Sequence, residues 1–237
     1  MRTLLLAIRT ENAKLFRSYV LWGTLVFFLF VTGIRVGEGD WATYLKNVVF
    51  MFASVFGIVG FGAVAGWTFG REYADRTIKD LLALPVSRGK IVAAKSLSAI
   101  IGCLMIVLIT FTFALLLGFI LGMPGFSMEV MLQQLLQLLI ISGLHLLLCG
   151  PVVGIACLSR GYLAAMAFAF CTLMVALITG PTPLGTYLPW SIPALQLAQS
   201  AGGEVFPLAA ASYLIPIVIG LAGYIGTWTW WRWADQK

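Results

Sequence analysis

The chain has 237 residues, of which 61% are hydrophobic and only 10% charged, with a formal net charge of +6 and a mean hydropathy of +0.99. This composition excludes a soluble globular domain, and basic residues retained on one side of a membrane account for the charge without a nucleic-acid partner. Four cysteines that never adopt C-x-x-C spacing, one histidine and the lack of H-E-x-x-H or G-x-S-x-G argue against a metal centre, a cofactor site or a catalytic site in this chain.

Residues 1–17 predict an amphipathic helix lying in the membrane interface, with Leu4, Leu5, Ile8, Leu15 and Phe16 on one side and Arg2, Arg9, Lys14 and Arg17 on the other. A frayed basic terminus is the alternative. Arg9, Glu11 and Lys14 interrupt the apolar run, so the segment does not read as a cleavable signal. Charges then divide the chain into apolar segments, to be compared with the ~20 residues a helix needs to cross a bilayer. The first two predicted spans are 18–34 and 48–69. The second carries Gly62, Gly66 and Gly70 at four-residue spacing, a small-residue stripe that suits either packing within the chain or a dimer face.

Residues 70–95 form a polar island that holds six of the fifteen Lys and Arg residues. Thr77 and Asp80 have capping-box spacing and predict a short helix from Ile78, with Ile78, Leu81, Leu82 and Pro85 on its apolar edge. Pro85 stops that helix, and Ser87 is placed to cap the next one at Arg88. The apolar edge calls for a partner or for the lipid interface. The run of acidic Glu72, then Thr77, the Leu-rich turn 81–84, Pro85, Ser87, Arg88 and finally Lys95 resembles the signature of type-2 ABC transporter permeases. The resemblance covers the whole chain and implies that this element is a coupling helix. Glu72, Arg76, Asp80 and Arg88 would then contact a separate ATPase, and Leu81, Leu82 and Pro85 would fill its groove. No G-x-x-x-x-G-K-[ST] loop is present, so ATP and magnesium are expected on that partner rather than on this chain.

The remaining predicted spans are 91–122, 131–158, 163–180 and 208–231. The fourth carries Gln133, Gln137, His145 and Cys149 at multiples of four, a stripe that reads either as packing or as part of a pathway. Between the last two spans, Pro181, Pro183, Pro189, Pro193 and Pro207 break the chain, and Ser191 precedes a short helix near Ile192. Tyr187 and Trp190 suit the aromatic belt, and the segment reads as a re-entrant outer hairpin or as an ordinary surface loop. The resemblance implies a hairpin that closes the outer end of the pathway, with Tyr187, Pro189 and Trp190 as its gate. With both termini inside, 13 of the 15 basic residues lie on the cytoplasmic side, and only Arg35 and Lys46 lie outside.

The expected fold is therefore an all-α polytopic membrane protein: an N-terminal interfacial helix, six transmembrane helices, a cytoplasmic coupling helix between spans 2 and 3, and the outer hairpin. It forms one domain in a bacterial-type plasma membrane. The resemblance implies the transmembrane subunit of an exporter for an amphiphilic substrate (an antimicrobial peptide, drug or lipid), working with two ATPase subunits and a second permease as a homodimer. An ion-coupled carrier or channel is disfavoured by the lack of central charges in the spans. A membrane scaffold without transport is the other alternative.

Overall fold

A computed structural model describes residues 2–36, 39–83, 85–200, 202–203 and 206–233, and every regular element among them is helical. Leu84, the last residue of the Leu-rich turn, lies outside the described residues. Helix α1 (Arg2–Phe16) meets α2 (Tyr19–Ile34) at 58°. Ser18 makes the bend: its extended backbone starts α2, and its hydroxyl accepts the Leu21 N–H at 3.2 Å. α1 packs along the start of the third predicted span, with Leu15 buried where Gly102 leaves room for it.

The second predicted span is longer than 48–69. Helices α3 (Trp41–Met51) and α4 (Gly57–Ala74) join through a π-helical turn at Phe52–Phe56 into one helix of 34 residues. It starts early because Asp40 caps it, accepting the Thr43 N–H at 3.0 Å. Hydrogen bonds from the Thr43 hydroxyl and N–H hold the Asp40 carboxyl below its ordinary pKa. The π turn presents Phe52 and Phe56 to Phe28 of α2, which stacks on Phe56 at 4.1 Å between ring centroids. Phe28 is thus core, whereas Phe27 and Phe30 on the same helix are exposed on its outer face.

The short helix α5 (Ile78–Ala83) leads to α6 (Arg88–Ile120), α7 (Met128–Leu158) and α8 (Leu163–Thr179). A 3-10 turn (Pro183–Tyr187) and α9 (Ile192–Ser200) precede α10 (Ala210–Trp233). Four helices are each long and apolar enough to cross a membrane: Trp41–Ala74, Arg88–Ile120, Met128–Leu158 and Ala210–Trp233. The bent α1–α2 pair makes a fifth if counted as one, and α8 is a shorter apolar helix of 17 residues.

Glycines set the helix spacing. A Cβ on Gly62 would come within 2.7 Å of the Ala169 methyl, and one on Gly70 within 2.5 Å of the Tyr162 backbone nitrogen. The stripe 62–66–70 is therefore filled by α8 of the same chain, which removes it as a free dimer face. α7 and α10 approach even more closely, with Gly150 and Gly154 facing Gly220 and Gly223. Pro151 lacks the N–H that Leu147 O would accept in a regular helix, and Gly220 sits against that carbonyl.

Candidate functional site

The polar island begins with a tight stop of α4. Asp75 caps it, Arg76 takes the left-handed conformation (φ 59°), and the Thr77 N–H reaches back to Glu72 O at 2.9 Å while the Arg76 N–H reaches Tyr73 O at 3.2 Å. These two bonds are those of a Schellman motif and turn the chain straight into α5. The Thr77 carbonyl accepts the Leu81 N–H, so the new helix starts where the sequence places it. Pro85 follows its end, and Ser87 opens α6 with an extended backbone. Ser87 makes no side-chain cap, contrary to expectation; instead its carbonyl accepts from Lys90 and Ile91. A left-handed non-glycine residue costs roughly 1–2 kcal/mol. Arg76→Gly is therefore expected to raise stability by about 1 kcal/mol in a thermal melt.

The apolar edge of α5 does not wait for a partner. Ile78 and Leu81 are buried in the protein's own core, and Leu81, Pro85 and Val86 face Leu6, Ala7 and Thr10 of α1 across a cavity of about 240 Å³. Leu81 thus fills its own chain rather than an external groove. The outward surface consists of Arg76, Thr77, Lys79, Asp80, Pro85, Ser87 and Arg88, with Leu82 half-buried at its margin. Arg88 also donates to the carbonyl of Trp231 at 3.2 Å, placing a cation at the C-terminal end of α10.

Glu72 departs furthest from the sequence reading. It is only 4% exposed, and both of its carboxylate oxygens are engaged inside the chain. Lys95, fully buried, donates to Glu72 Oε2 at 2.7 Å, to Glu11 Oε2 at 2.9 Å and to the Thr68 carbonyl at 2.9 Å, which uses all three of its protons. Lys14 closes the ring, donating to Glu11 Oε1 at 2.7 Å and Glu72 Oε1 at 3.2 Å. Two carboxylates and two ammoniums alternate, so the cluster is neutral and its charges are paired, as burial demands. It ties α1, α4 and α6 together directly beneath α5. Glu11 had been read only as a polar interruption of α1 and Lys14 as part of its basic side, and the sequence signal for their pairing was weak: a lone acid amid basic residues.

At the other end of the bundle, α9 lies against the π turn, and residues of both line an apolar cavity of about 360 Å³. The Ser191 hydroxyl hydrogen-bonds to the Gly185 carbonyl at 2.5 Å and to that of Leu188 at 2.9 Å, pinning the start of α9 to the 3-10 turn. Pro189 is buried, Trp190 packs edge-on to Phe168 at 5.6 Å, and Tyr187 points outward. His145 sits in a notch at Gly57, with Trp190 lining the same small void. Its Nδ1 lies 2.9 Å from the Ile141 carbonyl and must carry the proton there, leaving a buried Nε2 without a partner. Gln137 is two turns away along α7, its Oε1 buried and unpaired. The structure thus brings Trp190 to His145 but leaves Gln137 and Tyr187 apart from them. Among the described residues no group of three or more His, Cys, Asp or Glu side chains is arranged to hold a metal ion.

The exposed polar surface around α5 stands over a buried ionic cluster in a bundle of apolar helices, and residues 7–176 match the family described as ABC-2 family transporter protein. The chain belongs to the ABC-2 transporter family. It is also 29% identical over 174 residues to the bacitracin transport permease protein BCRB of Bacillus licheniformis, covering 71% of this chain and 82% of that one. The matched region of this ABC-2 permease runs from α1 through α8 and contains the polar island and all four charges of the cluster. The four charged side chains join α1, α4 and α6, and they cannot part without stranding a buried charge.

Proposed function

We propose that this permease is the transmembrane subunit of an ATP-driven exporter of an amphiphilic compound, with a peptide antibiotic as the favoured substrate class. It spans the plasma membrane six times, counting α2 and α8 as spans, with both termini in the cytoplasm. Two copies pair, and each engages one of two ATPase subunits that hold ATP and magnesium. The observation that carries this reading is the exposed polar face of α5 on a rigid anchor, within a chain of the ABC-2 family. The bacitracin relative supports the substrate class. Arg76, Thr77, Asp80, Leu82, Pro85, Ser87 and Arg88 make the ATPase contact, while Glu72 acts from beneath by holding α4 to Lys95. Closure of the ATPases moves α5, and the ionic ring passes that motion to α1, α4 and α6 as one body. The hairpin with Tyr187, Pro189 and Trp190 closes the outer end, and Gln137 and His145 line the inner wall near it.

The test is co-expression with a candidate ABC ATPase subunit, scored by co-purification, ATP hydrolysis in nanodiscs and growth in bacitracin. Wild type should co-purify, hydrolyse ATP and tolerate several-fold more bacitracin than the host. Arg76→Glu and Asp80→Lys should lose all three while remaining monodisperse, because both side chains are exposed. An ATPase that binds both variants as well as wild type rules out this face as the contact. Intact coupling without protection from bacitracin would leave the exporter and reject the peptide substrate.

A further inference from the structure

The bend between α1 and α2 encloses a cavity of about 450 Å³ that the docking element does not use. Three cations line it: Lys14, Arg17 and Arg71. Asp75 is its one carboxylate, and it is already taken by Arg71 Nε at 3.0 Å. Arg17 makes no ion pair or hydrogen bond among the described residues, and the ionic ring uses only two of the three Lys14 protons. The Arg71 guanidinium lies 5.0 Å from the Trp67 ring centre, a cation–π contact that holds it at the cavity wall. Tyr19 and Tyr162 close the remaining side. The first turn of α2, whose backbone N–H groups favour an anion, opens into the same space.

The surroundings select the kind of anion. Tyr19 continues along α2 into an exposed apolar stripe of Trp22, Val26 and Phe30. That stripe ends in a second, apolar groove of about 490 Å³ between α2 and Phe113 of α6. A charged cavity that runs into a hydrocarbon-facing track matches an amphiphile with a phosphate head, not a small soluble anion. We infer that this cavity is a binding site for the phosphodiester headgroup of an anionic phospholipid, with Arg17 and Arg71 on the phosphate and the acyl chains along α2. The site fixes the α1–α2 bend, and with it the helix that carries Glu11 and Lys14.

The inference depends neither on the ATPase partner nor on which side of the membrane α1 occupies, so it is tested on the purified full-length permease. Native mass spectrometry in detergent would follow retention of added phosphatidylglycerol against phosphatidylcholine. One phosphatidylglycerol per chain should be retained about tenfold more strongly, equivalent to ~1.4 kcal/mol. Arg17→Ala alone, which breaks no contact within the chain, should reduce the preference, and Arg17→Ala with Arg71→Ala should abolish it. Lys46→Ala, an exposed cation on α3, should leave it unchanged. Equal retention of the two lipids, or a preference that survives the double substitution, overturns the inference. Displacement of phosphatidylglycerol by millimolar inorganic phosphate would assign the cavity to a soluble phosphate compound and overturn the lipid assignment.

Discussion

Lys95→Met is expected to destabilise the permease by about 3–5 kcal/mol, the cost of removing one partner from a buried ion pair. Methionine is close in length to lysine and leaves no large void, so the loss is electrostatic. Glu11 and Glu72 would face each other in a low-dielectric site, with only the partly exposed Lys14 to offset them. The Thr68 carbonyl would lose the Lys95 proton as well. Fluorescence-detected size exclusion after graded heating measures this loss directly. The triple variant Lys95→Met, Glu11→Gln and Glu72→Gln should recover most of it, because removing buried charges together is far cheaper than stranding one. If the ring transmits force from α5, the triple variant will be stable yet fail to stimulate hydrolysis in the co-expressed ATPase. A stable Lys95→Met single variant would show that the ring bears little of the fold's stability.

Gly223→Val should cost about 3 kcal/mol or more, the upper range for forcing extra methyl groups into a close-packed seam. A Cβ at Gly223 meets the backbone of Gly150 and Pro151, and backbone cannot turn aside as a flexible side chain can. Only 22% of the most apolar stretch of α10 is buried within the chain, and α7 is its main neighbour, so this seam is its main attachment. Separating it should also expose Trp231, whose indole is buried and donates to Cys157 Sγ at 3.1 Å. A red-shifted tryptophan emission with early unfolding is the expected signature. Gly226→Val is the control: nothing lies within 4 Å of a Cβ there, so the change should stay within about 0.5 kcal/mol.

Local signals in the sequence located the short helix α5 closely. Thr77, Pro85 and Ser87 bound α5 and open α6 as expected, and Ser191 precedes α9 at Ile192. These are properties of short stretches: a missing N–H at proline, or a backbone dihedral before a helix. The reading was least sure on which way side chains face. A six-residue helix has too few turns for periodicity to separate an edge that meets a partner from one that meets its own chain, and Leu81 proved to be the latter. Glu72 stood out as part of a motif, yet its inward pairing was illegible, because its partners come from α1 and α6 rather than from its own helix.

Composition, span-length apolar runs and the single polar island were enough to determine that this is a helical membrane protein with one short polar-faced helix between apolar spans, since hydrophobicity and helix breaking act over a few turns of chain. Tertiary structure alone decided that Glu11 meets Lys95 across 84 residues, that the glycine stripe of α4 belongs to α8, and that the free face of α5 is its polar one. Each of these depends on three or more helices converging. Buried charges and bare backbone are tolerated only where a distant segment supplies the complementary surface, and that complement is set by packing rather than by neighbours in sequence.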